Sequence, residues 1–428
     1  MSDELTLMRE RLAAQVIAAN RIGSEPIAAA LRDVPRHLFL PELRPELAYA
    51  DDAIVTKRDE SGRPVSSSSQ PAIMVIMLDQ LDLAPGQRVL EIGAGTGYNA
   101  ALIRHIVGGS GQVTSVDIDE ELTRKARAHL VTAGYPDVTV LAADGADGCP
   151  AYAPYDRIIA TVGVSDLAPA WLDQARPAAR IVAPLDVRGT QVCVAFARTE
   201  AGSWTSRSLA PCGFMRMRGS HAGPERVVPL APGLFVTLPD GVMQPGGQDL
   251  DGEALAAVMA EPPVPHQTGV TAGPAEIFWE LGLWLATREP RVCRVDEERP
   301  GDPAAGPSRL GQAPFRGRGW LATVGILEEG SIAVLTAAPG PPEPVAPEPP
   351  PDEAPGPVPL VAAGFGPGGA QLAADLAAET RAWDQAGRPG VAGLHVDAYP
   401  RSWPGEPAAR PGALVVERPC SRFVVYHA

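Results

Sequence analysis

No stretch of the chain reaches the roughly 18 uninterrupted apolar residues of a membrane-spanning helix. Cysteine is sparse as well. The five (Cys149, Cys193, Cys212, Cys293 and Cys420) lie far apart and form no C-x-x-C pair. Such spacing suggests neither a disulfide framework nor a zinc site. The seven histidines are equally scattered. Positive charge is in deficit: 36 Lys and Arg stand against 51 Asp and Glu, a net charge of −15. That argues against a general affinity for nucleic acid or an anionic membrane, because a polyphosphate needs clustered basic residues. A small basic patch that grips an acidic peptide remains compatible with it. The N-terminal "MSDELTLMRERLAAQV" is charged and lacks the apolar core of a secretory signal. The expectation is a cytoplasmic, metal-free protein with no nucleic-acid or membrane partner.

What is present is the material of a multidomain globular protein. The chain has 428 residues, with 45% hydrophobic and 20% charged. That length suits about two or three domains. Residues 5–22 carry apolar side chains at helical spacing, and residues 27–33 form a second short helix. Residues 48–65 read as an irregular polar segment, followed by four serines, Ser66 to Ser69. Gln70-Pro71 then opens a helix over 72–81, since proline is well tolerated in a first helical turn. From Arg88 onward strands and helices alternate: "RVLEIGA", "GYNAALIRHIV", "GQVTSVDID", "EELTRKARAHLVTAG", "VTVLAAD", "DRIIATV", "PAWLDQA" and "ARIVAPL". "VCVAFART" and "WTSRSLAPCGF" close the series as an antiparallel pair. This pattern predicts an α/β domain with a doubly wound, mostly parallel sheet, and chemistry beyond the carboxyl ends of its strands.

After about Gly219 the alternation fades and Gly and Pro become dense. Helices are expected over 252–260, over the aromatic "AEIFWELGLWLATRE", and over "GGAQLAADLAAETRAWDQAG". "GWLATVGILEEGSIAVLTA" predicts a hairpin, and "LHVDAYP" and "ALVVERPCSRFVVYH" predict strands. Residues 339–359 are so rich in proline that they predict an extended, disordered insertion. The expected division is a first domain over 1–225 and a smaller α+β domain over 226–428.

"VLEIGAGTGYNAAL" joins a strand to a helix through Gly93, Gly95 and Gly97, which let the backbone turn sharply and approach a ligand. Glu91 precedes the glycines. Asp117 ends the next strand, where a carboxylate can take both ribose hydroxyls. Asp144 ends the third, where it can accept from an adenine amino group. One acid for ribose and one for adenine suit S-adenosyl-L-methionine. The loop lacks the Lys-Ser/Thr of a phosphate-binding loop and the third glycine spacing of a dinucleotide fingerprint. The bland alternative is a tight turn with helix-capping acids in a domain that binds nothing.

Several stretches in order resemble the protein-L-isoaspartate O-methyltransferase family over about the first half of the chain. They are "VPRHLFLP", "AYADDAI", "SQPAIMVIML", "VLEIGAGTGYNAAL" and "DGADGCPAYAPYDRIIATVG". The resemblance implies a Rossmann-like class I S-adenosylmethionine-dependent methyltransferase domain. It also implies methyl transfer to a peptide carboxylate, followed by closure of the ester to a succinimide. The cofactor-binding set it implies is Gln70, Glu91, Gly93, Ala94, Gly95, Thr96, Gly97, Asp117, Ile118, Asp144 and Gly145. The implied acceptor-side set is Ser69, Ser68 and Thr161, with Ser69 hydrogen-bonding the acceptor carboxylate. Val162 stands beside Thr161. Helix N-capping is the plainer role for Ser69.

Two departures stand out. Ser67 and Ser68 replace the usual Thr-Ile before the family's S-Q-P, and the chain runs on well past the family's catalytic domain. Both resemble a subgroup that methylates an aspartate of a ribosomally made, cyclised peptide (a lanthipeptide or graspetide), whose ester closes to an aspartimide that can open to isoaspartate. A C-terminal domain would then help hold the peptide, with the aromatic helix (Phe278, Trp279, Trp284) as a candidate surface and Arg216 and Arg218 near its acids. General isoaspartyl repair is the alternative. A non-catalytic cofactor-binding scaffold is the third.

Overall fold

The computed structural model describes residues 2–60, 62–224, 226–239, 249–298, 310, 313, 315–317, 320–338 and 356–427. The chain divides into two compact units. The first comprises Met1–Asp186, Gln191–Gly223 and His395–Tyr426, and the second Val187–Thr190, Pro224–Leu394 and His427–Ala428.

The first unit begins with helices Ser2–Ala19 and Glu25–Asp33. A hairpin follows, β1 (Ile54–Arg58) and β2 (Pro64–Ser68), and then helix Pro71–Leu81. The expected alternation then unfolds as β3 (Arg88–Ile92), helix Tyr98–Val107, β4 (Gln112–Asp117), helix Glu120–Thr132 and β5 (Thr139–Ala142). It continues as β6 (Tyr155–Ala160), helix Pro169–Gln174, β7 (Ala175–Val187), β8 (Thr190–Arg198) and β9 (Trp204–Pro211). β3 pairs in parallel with β4 on one side and β6 on the other, β4 with β5, and β6 with β7. The connections run outward from β3 to β5 and then cross back to β6, so the winding reverses between β3 and β6. Ligands of such sheets bind in the crevice that this reversal opens.

Local chemistry explains the flanking helices. Helix Tyr98–Val107 starts after a left-handed Gly97 and stops at Gly108, with Tyr98, Leu102 and Ile106 buried at a spacing of four. Helix Glu120–Thr132 is capped by Asp119, whose carboxylate accepts from the Glu121 and Leu122 amides. Glu120 and Glu121 complement the positive end of its dipole. Its buried stripe is Leu122, Ala126 and Leu130.

The second unit holds β10 (Arg226–Ala231), β11 (Leu234–Leu238), helix Gly252–Val258 and β12 (Val264–Ala272). A π-helical turn, Glu276–Leu281, runs on into helix Gly282–Arg288. Then come β13 (Val292–Glu298), β14 (Phe315–Gly317), β15 (Trp320–Glu328), β16 (Ser331–Ala337), β17 (Val358–Phe365) and helix Gly369–Gln385. The strands form one antiparallel sheet in the order β10-β11-β13-β15-β16-β17-β12, with β14 added to β15. Ile277, Leu281 and Trp284 join its core, while Phe278 and Trp279 are half-buried and packed edge to face. Six of these strands, β10 to β14 and β17, escaped the sequence reading. β12 is polar over its first half and contains Pro265 and Gly269, so no apolar alternation marks it.

Three expectations need correction. The chain from 395 to 426 does not belong with the second unit. β18 (Leu394–Pro400) pairs antiparallel with β9, and β20 (Ser421–His427), itself paired with β19 (Leu414–Glu417), lies beyond it in the first sheet. Thr205 donates to the Asp397 carboxylate at 2.6 Å, the Val396 amide donates to Ser206 Oγ at 3.0 Å, and Phe423 packs on Phe196. The second correction concerns the polar segment before the serines, which is a paired hairpin rather than an irregular loop. The third concerns the proline-rich stretch: residues 339–355 lie outside the described residues, but Val358 and Pro359 already belong to β17.

No helix among the described residues is long and apolar enough to cross a membrane. Phe423 is 1% exposed in the first unit's core. Phe423→Ala should therefore lower unfolding free energy by about 3–5 kcal/mol, the usual cost of emptying a buried aromatic site. Urea unfolding followed by circular dichroism measures it, and a loss below about 1 kcal/mol would mean the C-terminal strands are not part of this core.

Candidate active site

The carboxyl ends of β3, β4 and β6 meet at a cleft of about 1010 Å³, counting its open mouth. Gly93 and Gly95 shape its floor and Gly97 closes the turn behind it, with φ of 98°, 51° and 88°. Side chains rarely adopt such values. Space is also closed to them: a Cβ on Gly93 would stand 2.6 Å from Thr161 Oγ1, and one on Gly97 would press on Ala126 and Leu130. The loop is gripped from two sides. The Asp117 carboxylate accepts the Gly95 amide at 3.0 Å, and the Thr161 hydroxyl donates to the Gly93 carbonyl at 2.7 Å. Ala94, Thr96, Asp117, Ile118, Gly145, Thr161 and Val162 all line the cleft. This is a cradle in which backbone, not side chain, meets a ligand. With a carboxylate at the end of β4, it fits the adenosyl and methionyl parts of S-adenosyl-L-methionine.

Four expected residues stand back from the cleft lining. Glu91 is wholly buried beneath the loop, accepting from Asn99 Nδ2 at 2.8 Å and from Ser115 Oγ. Gly97 packs against helix Glu120–Thr132. Gln70 donates to the Asp51 carbonyl and carboxylate at 3.1 and 3.2 Å. Asp144 accepts from the Ala146 and Ser220 amides at 2.9 and 2.7 Å. Against the burial that alone would raise it, these bonds hold Asp144 below the usual carboxylate range.

A second wall is the serine run, whose Ser67 carbonyl lies beside Gly95 of the loop, and it is a strand. β2 pairs with β1 with Ile54 opposite Ser68 and Val55 opposite Ser67. Alternation along the strand divides the hydroxyls. Ser66 and Ser68 are buried: Ser66 Oγ lies 3.0 Å from Thr56 Oγ1, and Ser68 Oγ 3.5 Å from Arg36 Nη2. Ser67 and Ser69 are half-exposed, and among the described residues their hydroxyls have no partner. Capping of helix Pro71–Leu81 falls instead to Asp51, whose carboxylate accepts the Ala72 amide at 2.8 Å. Ser69 is thereby released from the plainer role.

Phe214 to Arg218 make the third wall. Its backbone is tied to Gly163, whose amide donates to Met215 O and whose carbonyl accepts from Met217 N, both at 2.8 Å. Arg216 pairs with buried Asp186 at 3.0 Å, and Arg218 approaches Asp119 at 3.9 Å. Asp119 also holds Lys57 of β1 at 2.7 Å. Two walls of the cleft are thus linked through one carboxylate. Nothing in the sequence marks Lys57 or Asp119 as partners, because they are far apart in the chain. Arg36 had only its place in "VPR" as a signal. Among the described residues no three His, Cys, Asp or Glu gather as a metal site.

Burial raises the Glu91 carboxyl to about 7 from 4.5, opposed by the Ser115 and Asn99 bonds and reinforced by Asp117. A carboxyl whose folded pKa is raised binds protons more readily in the fold. Its stabilising contribution is full below pH 4.5 and is lost as pH rises towards 7. Glu91→Gln should therefore gain stability relative to the parent across that window. Urea melts at several pH values test this, and parallel curves for the two proteins would refute it.

Comparison with known proteins agrees with this geometry. The family described as Protein-L-isoaspartate(D-aspartate) O-methyltransferase (PCMT) matches residues 7–222. A protein-L-isoaspartate O-methyltransferase of Hyperthermus butylicus is 36% identical over 221 residues, covering 50% of this chain and 89% of its own. One from Methanopyrus kandleri is 37% identical over 214 residues, covering 50% and 92%. A solved protein-L-isoaspartate O-methyltransferase aligns over 91% of this chain and 96% of its own at 20% identity, with a TM-score of 0.48. This chain belongs to the protein-L-isoaspartate (D-aspartate) O-methyltransferase family, and it is an S-adenosyl-L-methionine-dependent carboxyl O-methyltransferase with the class I methyltransferase fold.

Proposed function

We propose that the enzyme methylates the free side-chain carboxylate of an isoaspartyl or aspartyl residue in a peptide, the ester then closing to a succinimide with loss of methanol. The carrying observation is the pair of hydroxyls, Ser67 and Ser69, that have no partner among the described residues and line the same cleft as the glycine loop. A carboxylate is already ionised near pH 7 and needs no general base. The protein's task is alignment of the acceptor oxygen in a water-poor site. In this reading Ser69 donates to the acceptor carboxylate, and Ser68 and Thr161 shape the wall around it. Bound S-adenosyl-L-methionine supplies the methyl group. Asp117 accepts from its ribose hydroxyls. Gly93, Ala94, Gly95, Thr96 and Gly97 let the backbone approach it, and Ile118, Asp144 and Gly145 flank its adenine. Gln70 and Glu91 support the loop from outside the cleft.

A second, narrower reading assigns the acceptor to an aspartate of a dedicated, cyclised, ribosomally made peptide. Two observations favour it. The β2 wall carries two small side chains, Ser67 at the cleft and Ser68 turned in towards Arg36, where the family usually has threonine and an apolar residue. Apart from Val187–Thr190, the second unit, with its own sheet and cores, lies outside the family match. In that reading the second unit recognises the substrate, and Arg216 and Arg218 face its acidic groups.

Mass spectrometry separates the readings. An isoaspartyl hexapeptide, its aspartyl counterpart and a lactam-cyclised aspartyl version are each incubated with enzyme and cofactor. Gain of one methyl and then loss of methanol on the isoaspartyl peptide alone supports general repair. The same changes on the cyclised aspartyl peptide alone support the dedicated reading. No methylation of any carboxyl would overturn both. Asp117→Ala should weaken cofactor binding about 10- to 100-fold by calorimetry, the size of a lost hydrogen bond to a charged group. Ser69→Ala should lower kcat by a similar factor and leave melting nearly unchanged. Unchanged kinetics would remove Ser69 from the site.

A further inference from the structure

Arg36 begins the short 3-10 turn Arg36–Phe39 and is fully buried, with no exposed surface. Buried cations ordinarily sit in ion pairs. Among the described residues Arg36 makes none. Only Nη2 is engaged, donating to the Asp52 carbonyl at 3.2 Å and the Ser69 carbonyl at 3.1 Å, with Ser68 Oγ at 3.5 Å. Nε and Nη1 have no hydrogen-bond partner among the described residues. The guanidinium lies 5.7 Å from the ring centroid of Tyr98, which lines the cleft. Asp51 and Asp52 favour its charge without a direct bond from their carboxylates to the guanidinium, and Asp51 caps helix Pro71–Leu81 and holds Gln70. A buried positive charge, balanced only at a distance by Asp51 and Asp52, therefore lies directly behind Ser68 and Ser69.

We propose that Arg36 is a specificity-determining residue that makes this cleft wall select an anionic acceptor, acting through the Ser68–Ser69 backbone rather than by touching the substrate. The inference rests on the carboxylate-acceptor reading. Its chemistry separates affinity from turnover. Methyl transfer forms a carbon–oxygen bond to the carboxylate and breaks the carbon–sulfur bond, whose electron pair returns to sulfur. Negative charge on the acceptor disappears as the step proceeds. A nearby cation therefore stabilises the acceptor more before the reaction than during it. By contrast, the directional bond from Ser69 aligns the oxygen and acts on turnover.

The test uses the full-length enzyme and whichever hexapeptide the parent methylates in the assay above, so failure of the acceptor reading is seen in the parent before any variant is compared. Arg36→Met should raise the peptide KM about 10- to 100-fold, the scale of one unit charge a few ångströms away in a protein interior. Its kcat should stay within about threefold and its calorimetric affinity for S-adenosyl-L-methionine within about twofold. Arg36→Lys, which keeps the charge, should recover most of the KM. An unchanged KM in Arg36→Met would overturn the proposal. So would an equal rise in both variants, or a parallel loss of cofactor affinity, since each marks a structural role alone.

Discussion

The constraint on which the site depends is clearance for backbone at the reversal of the sheet. Between β3 and β6 the winding changes direction, and the loop after β3 must cross the opening without filling it. Glycines at left-handed angles satisfy this, but glycine alone is loose. Asp117 from β4 and Thr161 beyond β6 each take one backbone group of the loop and fix it. The same two residues line the cleft. The groups that shape the cradle are therefore those best placed to sense what lies in it.

That constraint explains what was legible in the sequence. The glycine spacing, the acid at the end of β4 and the period of strand and helix are local signals. They mark the parallel strands of the sheet and the loop whose Gly93 and Gly95 line the cleft. The other wall was harder. Four serines in a row carry no apolar alternation, so nothing local says strand. The strand exists because Asp59 and Gly62 close a turn, with Gly62 at φ 85°, and β1 pairs across it. Pairing partners are tertiary facts. The same reason hid the return of residues 395–426 to the first sheet: their strand character was visible, their neighbour was not.

Recasting the serines as a strand changes what they can do. In a linker, four hydroxyls would be equivalent. On β2 they alternate, two turned inward to Thr56 and Arg36 and two left free at the cleft. The inward pair ties the strand down, and the outward pair faces the space beside the cofactor loop. Ser68 therefore differs in kind from Ser67 and Ser69, although sequence makes them identical neighbours.

The wall so built is polar at its surface and cationic behind it, in a protein whose net charge is −15. Long-range electrostatics from such a molecule repel an anionic substrate, and salt screens that repulsion beyond roughly 8–10 Å. Selection for a carboxylate must then be made locally, by charges the solvent cannot screen. Arg36, fully buried, meets that condition, whereas Arg216, Arg218 and Lys57 are partly exposed and each stands beside a carboxylate, Asp186 or Asp119. Exposed cations fasten the cleft's walls together, and in the reading proposed for Arg36 the buried one sets the preference for charge.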